Sequence, residues 1–151
     1  MRRFPMLVAC AVAVGCASCG NPPTRSEAIE RYGTELREAV SAKVEDKQRR
    51  ARMLQVVDRI NALQVRFTRE TADYITAFHR LNADYDATRP AFDQLLGSYE
   101  AQRVTARNEM LSLHYELASL AIGGEWRAIG KAEAKLYEKT SEARPQRESG
   151  K

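Results

Sequence analysis

The sequence predicts an all-α protein built on a long antiparallel, coiled-coil-like helical hairpin with a third, C-terminal helix. Three observations predict it. Apolar residues recur at alternating steps of four and three along two long segments. No proline lies between Ser26 and Arg89, where Gly33 is the only glycine. The two breaks that follow, at Pro90 and Gly123-Gly124, then divide the chain into helical lengths.

The first residues have the composition of a secretory leader. Arg2 and Arg3 form a charged start, and the 11 residues from Phe4 to Val14 carry no charge. A helix that crosses a bilayer needs about 20 apolar residues, so this stretch is too short to span one and suits a cleaved leader. We expect no transmembrane helix later in the chain, because charges interrupt every other apolar run.

A cysteine after small residues ends the leader. Ala13-Val14-Gly15-Cys16 resembles the lipobox of bacterial lipoproteins, although Ala13 stands where leucine is usual. The resemblance implies that residues 1–15 are a signal peptide and that Cys16 is diacylated at the membrane. Cys19 is the alternative lipidation site, while Cys10 lies too close to the arginines. An ordinary signal peptide, cleaved near Ala17-Ser18-Cys19, is the other interpretation.

Cysteine and charge content exclude two further features. All three cysteines, Cys10, Cys16 and Cys19, lie in the leader region, so internal disulfides cannot stabilise the body. The chain has 24 basic and 20 acidic residues. Removing Arg2 and Arg3 leaves 22 basic residues, and a body so close to neutral argues against a nucleic-acid partner.

The body begins after a proline-rich linker. Residues 16–25 hold the lipidated cysteine and the stiff Asn21-Pro22-Pro23-Thr24 segment. The helical domain is predicted over residues 26–143, with Ser26 capping a first helix that nothing interrupts before Arg89. Pro90 fits an early position of the next helix, with Thr88 or Arg89 near its cap. A third helix is predicted from Glu125 to about Ala143, and residues 144–151 form a disordered tail.

The two central segments carry matching apolar stripes. Steps of four and three from Met53 to Tyr85, and from Phe92 to Leu120, meet 19 positions, of which 16 are apolar or aromatic. This is the seam of a coiled coil. If the chain reverses over residues 86–91, paired residues have numbers that sum to 177: Tyr85 with Phe92, Leu81 with Leu96, Phe78 with Tyr99, Phe67 with Met110, Ile60 with Leu117, and Val57 with Leu120.

Apolar residues beside the seam require a further cover. Val56 and Leu63 lie beside the seam on one arm, and Tyr115 and Ile122 on the other. A third helix or a second copy of the chain is needed to cover them. The C-terminal helix has two alternatives: it folds back on the hairpin as a three-helix bundle, or it runs beside the first segment, whose Ile29, Tyr32, Leu36 and Val40 also form a stripe.

No pattern of catalytic, cofactor-binding or metal-ligating residues is present. In the predicted hairpin His79 and His114 are roughly 24 Å apart, too far for one metal ion, and they are expected at the surface or edge. Asp84-Tyr85-Asp86 resembles the start of a calcium loop, but Arg89 stands where that loop requires glycine. A slender hairpin also offers little cleft. We therefore expect no enzymatic activity and no cofactor.

Three sets of residues are candidates for interaction instead. The first set comprises the polar seam residues Arg103, Gln64 and Thr71. A polar residue on the seam either marks a recognition spot or specifies the register. Arg103 is expected to face Tyr74 and to stack on the tyrosine ring. The second set is the densest basic run, Lys47, Arg49, Arg50 and Arg52. This run either contacts anionic lipid or cell-wall polymer, or is a solvated face. Trp126 either anchors a partner or closes the open end of a bundle.

These features predict a non-enzymatic cell-envelope lipoprotein that acts as a helical interaction or structural module. Its expected partners are the membrane, through the anchor, and a protein or cell-wall polymer; a homo-oligomer is a further expectation. Ala17 replaces the aspartate that would resemble an inner-membrane retention signal, so the outer membrane is the expected location, facing the periplasm. The alternatives are a small helical periplasmic chaperone and a cell-wall tether through Lys151.

Overall fold

The computed structural model describes residues 24–141, which contain four α-helices and no β-strand. Their bounds are α1 Arg25–Lys43, α2 Lys47–Asn82, α3 Arg89–Leu120 and α4 Glu125–Ser141. The all-α prediction is therefore confirmed. The predicted signal peptide, the lipidation sites Cys16 and Cys19 and the tail at residues 144–151 lie outside the described residues.

The prediction of an uninterrupted first helix is wrong, because the chain turns between α1 and α2. Val44 leaves the helix in an extended conformation and packs into the core, where it is almost fully buried. Asp46 then caps α2, its side chain accepting a hydrogen bond from the Arg49 backbone N–H at 2.6 Å. The buried valine and the aspartate cap make the turn without proline or glycine. Likewise Thr24, and not Ser26, caps α1, with Glu27 completing a capping box.

The helices pack in the order α3, α2, α1, α4, with α1 between α2 and α4. The C-terminal helix α4 combines the two alternatives: it packs mainly beside α1, and it also folds back on the base of the hairpin, where Glu125 contacts Arg49 of α2 and Glu133 contacts His114 of α3. Gly33 of α1 lies against Asn61 of α2, and Arg37 pairs with Asp58, so the two helices are antiparallel. In that alignment α2 continues about 20 Å beyond the start of α1. The molecule thus has a four-helix base and a two-helix tip.

The core fills the base. Each helix contributes fully buried apolar side chains, which form one cluster that includes Leu36, Val40, Met53, Val56, Val57, Ile60, Leu63, Leu113, Leu117 and Ile129. Val56 and Leu63 are covered, as predicted, and the cover is α1. Along the tip the seam residues are half-buried or exposed. The base therefore supplies most of the apolar burial that stabilises the fold.

The hairpin reverses earlier than the register of 177 requires. The turn occupies residues 83–88, where the Asp84 side chain accepts a hydrogen bond from the Asp86 backbone N–H, and Tyr85 is fully exposed. Pro90 lies in the first turn of α3 after Thr88, as expected. Near the tip the pairing consequently shifts by about one to two helical turns.

The shift changes which aromatic residues meet. Phe78 packs edge-on against Phe92, with ring centroids 6.0 Å apart, and Tyr74 stacks on Tyr99 at 4.0 Å. Leu96 is exposed while the neighbouring Leu95 turns inward. The predicted pairs of Tyr85 with Phe92, Leu81 with Leu96 and Phe78 with Tyr99 are therefore wrong, whereas Ile60 and Leu117 share the core. No helix among residues 24–141 is long and apolar enough to cross a membrane.

Candidate interaction surfaces

The outer face of α3 carries exposed apolar side chains along most of its length. Val104 and Leu111 are each 46% exposed and Tyr115 is 75% exposed; Ile122, just after the helix, is 59% exposed. Tyr115 and Ile122 were expected to require a cover, but no helix of the described chain supplies one. We call this surface the outer α3 stripe, defined by Gly97, Ala101, Val104, Asn108, Leu111, Tyr115, Ala118 and Ile122.

A polar cluster joins α1, α3 and α4. Tyr32 of α1 donates a hydrogen bond to Glu133 Oε1 of α4 at 3.0 Å, and His114 Nε2 of α3 lies 2.5 Å from the same oxygen. His114 Nδ1 lies 2.7 Å from the Met110 carbonyl oxygen, which can only accept. Both ring nitrogens thus face acceptors, as suits a protonated imidazole.

Burial and proximity set the protonation of this cluster. The hydrogen bond to Glu133 raises the pKa of His114 above its usual value, against the opposing effect of partial burial. Burial, and then the negative charge of Glu133, raise the pKa of Tyr32, so it stays a neutral donor. The cluster attaches α4 to α1 and α3. The sequence predicts His114 only as a surface or edge residue. It does not indicate Glu133 as the partner, because that residue lies 19 positions further along the chain on another helix.

Arg103 lies at the mouth of a cavity and not over Tyr74. It forms two hydrogen bonds of 2.8 Å to Glu100, and Tyr99 occupies the face of Tyr74 instead. The cavity, of about 430 Å³, lies where α1, α2 and α3 meet. Its lining comprises Ile29, Leu63, Phe67, Ala106 and Met110 with the polar Arg25, Gln64, Thr68, Arg103 and Arg107. Such a cavity can accept an apolar group with a polar end.

The two other polar seam residues sit inside the hairpin. Thr71 donates a hydrogen bond to the Phe67 carbonyl oxygen at 2.8 Å, which satisfies it within its own helix. The Gln64 Oε1 atom is buried with no hydrogen-bond partner among the described residues. It lies in the wall of the cavity described above.

Half of the predicted basic run has a structural role. Arg49 donates a hydrogen bond to Glu125 at 2.7 Å in a half-buried ion pair that joins α2 to the start of α4. Arg50 donates to the Val44 carbonyl oxygen at 3.2 Å and so closes the turn after α1. Lys47 and Arg52 remain exposed. The run is therefore not one continuous basic surface.

Trp126 lies in the first turn of α4 and is 37% exposed, outside the buried core cluster. Within residues 24–141 no group of three or more histidine, cysteine, aspartate or glutamate side chains could hold a metal ion. Comparison with known protein families, with curated proteins and with solved structures found no match to this chain.

Proposed function

We propose that this protein is a non-enzymatic lipoprotein of the bacterial cell envelope that acts as a helical interaction module through the outer α3 stripe. The observation that carries this proposal is the exposure of Val104, Leu111 and Tyr115 on one face of a helix whose opposite face is in the core. A contiguous apolar surface on a soluble domain usually marks an interaction site.

The anchor supplies the other part of the proposal. It rests on the leader and the lipobox-like Ala13-Val14-Gly15-Cys16, with Cys19 as the alternative. Cys16 and Arg25 are nine residues apart, which spans at most about 32 Å when fully extended. The start of α1 therefore stays close to the membrane that holds the lipid, and the outer α3 stripe is available to neighbours in the periplasm. The outer membrane is the proposed location.

A small helical chaperone is the second candidate, favoured by the same exposed side chains. Val56 and Leu63, the apolar residues beside the seam of α2 that could have held a client, are both buried in the core. A chaperone would have to use the outer α3 stripe, so the two functions differ in the number of partners that this face captures. The cell-wall tether through Lys151 remains a separate proposal, since that residue lies outside the described chain.

Site-specific photocrosslinking in intact cells tests the interaction module. A photoreactive amino acid at Leu111 should capture one dominant partner. The matched control is Val65, which is similarly exposed but lies on α2, and there we expect little capture. Many different proteins captured at Leu111 would support the chaperone, and no capture at Leu111 would contradict both functions.

Metabolic labelling with a clickable fatty acid tests the anchor. We expect the wild-type chain and Cys19→Ser to be labelled and Cys16→Ser to lose the label. Loss of label in Cys19→Ser alone would assign the lipid to Cys19. A wild-type chain that stays unlabelled would contradict the lipoprotein proposal and leave the ordinary signal peptide.

A further inference from the structure

The outer α3 stripe has the spacing of a second coiled-coil seam. Starting at Gly97 and stepping alternately by four and three, every residue is apolar or small except Asn108. These positions extend over more than three heptads. They are a different set from the α3 residues that pack on α2, such as Ala106, Leu113 and Leu117. One helix thus carries two seams, of which the structure shows a partner for one.

The second seam is open to a neighbouring helix. At about 100° of rotation per residue, its axis lies roughly 160° from the axis of the α3 face that packs on α2. Apart from the half-buried Ala118, its members within α3 are exposed, from Gly97 to Tyr115. A helix that docks there would therefore approach from the side opposite α2 without displacing it.

The residues beside the seam permit close approach. One flank repeats a small hydroxyl residue every seven positions: Ser98, Thr105, Ser112 and Ser119. The other flank carries Glu100, Arg107, His114 and Ala121. In a parallel pair of identical helices the first flank faces the second, so the exposed Glu100 and Arg107 each meet a hydroxyl group and not a like charge, while His114 keeps its pairing with Glu133 of α4.

Asn108 indicates what kind of helix fits. It occupies the a position, taking the steps of three as a to d, and its side chain makes no hydrogen bond to any described residue. Against a leucine of another protein its amide would be buried without a partner, which is unfavourable. Opposite an identical asparagine, each amide can donate to the other. A single asparagine at an a position is the feature that specifies register and pairing in parallel two-stranded coiled coils.

We propose that the occupant of the outer α3 stripe is a second copy of this chain, docked in parallel so that the two Asn108 side chains pair. The proposal rests on the proposed function, because it names the partner of the same surface. Parallel docking places both α1 N-termini at the same end of the dimer, so that the two proposed anchors enter one membrane.

Disulfide trapping in native membranes tests the pairing and its direction. Leu111→Cys and Val104→Cys chains should each form a disulfide-linked homodimer. Both positions adjoin their own copies only in a parallel pair, because an antiparallel pair brings equivalent residues together only at its symmetry axis. Val65→Cys is the matched exposed control, and the otherwise unaltered chain controls for Cys10, Cys16 and Cys19. Both chains should form no disulfide-linked dimer, although they still associate. A disulfide only in a mixture of Val104→Cys and Tyr115→Cys chains would show an antiparallel pair and overturn the parallel register.

Disulfide trapping and photocrosslinking at Leu111 together separate self-docking from binding of another protein. If neither seam cysteine forms a homodimer while the photoreactive group at Leu111 still captures another protein, self-docking is overturned and the interaction module stands. If neither experiment captures anything, both fall.

Asn108 gives an independent test. Replacing it with leucine should tighten self-association of the purified full chain roughly tenfold or more, since the buried polar pair lowers dimer stability in exchange for a unique register. The matched control is Gln102→Leu, an exposed position of α3 outside the seam, where self-association should not change. Equal effects of the two substitutions on the sedimentation profile would overturn the role of Asn108.

Discussion

Replacement of Gly33 by alanine tests whether α1 folds back on α2 as described. A Cβ atom at Gly33 would lie 2.8 Å from both Cγ and Oδ1 of Asn61 and 3.1 Å from its Nδ2. Favourable contacts between such atoms begin at about 3.5 Å, so the Asn61 amide must move by several tenths of an ångström. In an uninterrupted helix these two residues would be on the order of 40 Å apart.

The expected magnitude follows from two opposing effects. Alanine in place of glycine in a helix interior stabilises by about 1 kcal/mol. Overpacking costs about 1–3 kcal/mol. We expect Gly33→Ala to lower the free energy of unfolding by about 1 kcal/mol. In the Asn61→Ala background the steric conflict is gone, and the same change should raise that free energy by about 1 kcal/mol. The coupling between the two positions is thus about 2 kcal/mol.

Urea unfolding of the single and double variants, followed by circular dichroism, measures this coupling. Gly130→Ala is the control, because its added Cβ would meet no atom within 4 Å. It should stabilise the protein by about 0.5–1 kcal/mol. If Gly33→Ala stabilises as much as Gly130→Ala, and its effect does not depend on Asn61, the described packing of α1 on α2 is refuted.

Three further predictions follow from the core, the cap and the polar cluster. Leu117→Ala should lower the free energy of unfolding by about 2–5 kcal/mol, because Leu117 is fully buried, whereas exposed Leu96→Ala should change it by less than about 1 kcal/mol in the same urea titration. Asp46→Ala removes the side-chain acceptor at the start of α2 and should cost about 1 kcal/mol; no loss of stability would argue against the turn at this position. The pair of His114 and Glu133 should stabilise most at mildly acidic pH. The pKa of His114 in the folded state is raised above 6.5, so the stability that the pair contributes is fully present below that value and declines as pH rises through the folded-state pKa. The difference in unfolding free energy between wild type and Glu133→Gln should therefore shrink as pH rises. A difference that grows with pH would contradict the assignment.

Local pattern accounts for the helices and for most of the seam. The seam positions from Met53 to Leu81 are all buried or half-buried, as their spacing predicts. On α3 the same holds from Ala106 to Leu120, but exposed Leu96 and Arg103 depart from it. The departures cluster at the tip because the turn forms at Asp84 and Asp86, whose side-chain and backbone groups bond locally, and not at Pro90.

The outer α3 stripe could be predicted only in part from the sequence. Tyr115 and Ile122 stood out as apolar residues that need a cover, but so did Val56 and Leu63, which α1 covers. Four residues of the same character thus divide into core and surface according to where α1 lies. The sequence signal that would have separated them is the second repeat of steps of four and three, on α3. Of these four residues, it contains Tyr115 and Ile122 but not Val56 or Leu63.

From the sequence alone come the helical class and the stripes along the helices, because side-chain spacing on a helix is a property of the local backbone. The leader with its lipobox-like end stays a prediction from the sequence. Tertiary structure alone decided that the chain turns after Lys43, since burying Val44 among residues of other helices is what compensates for breaking the helix. It also decided that Glu133 meets His114 and Tyr32, and that none of the four described helices covers the outer face of α3. Each of these depends on which surfaces meet across the bundle, and no local spacing contains that information.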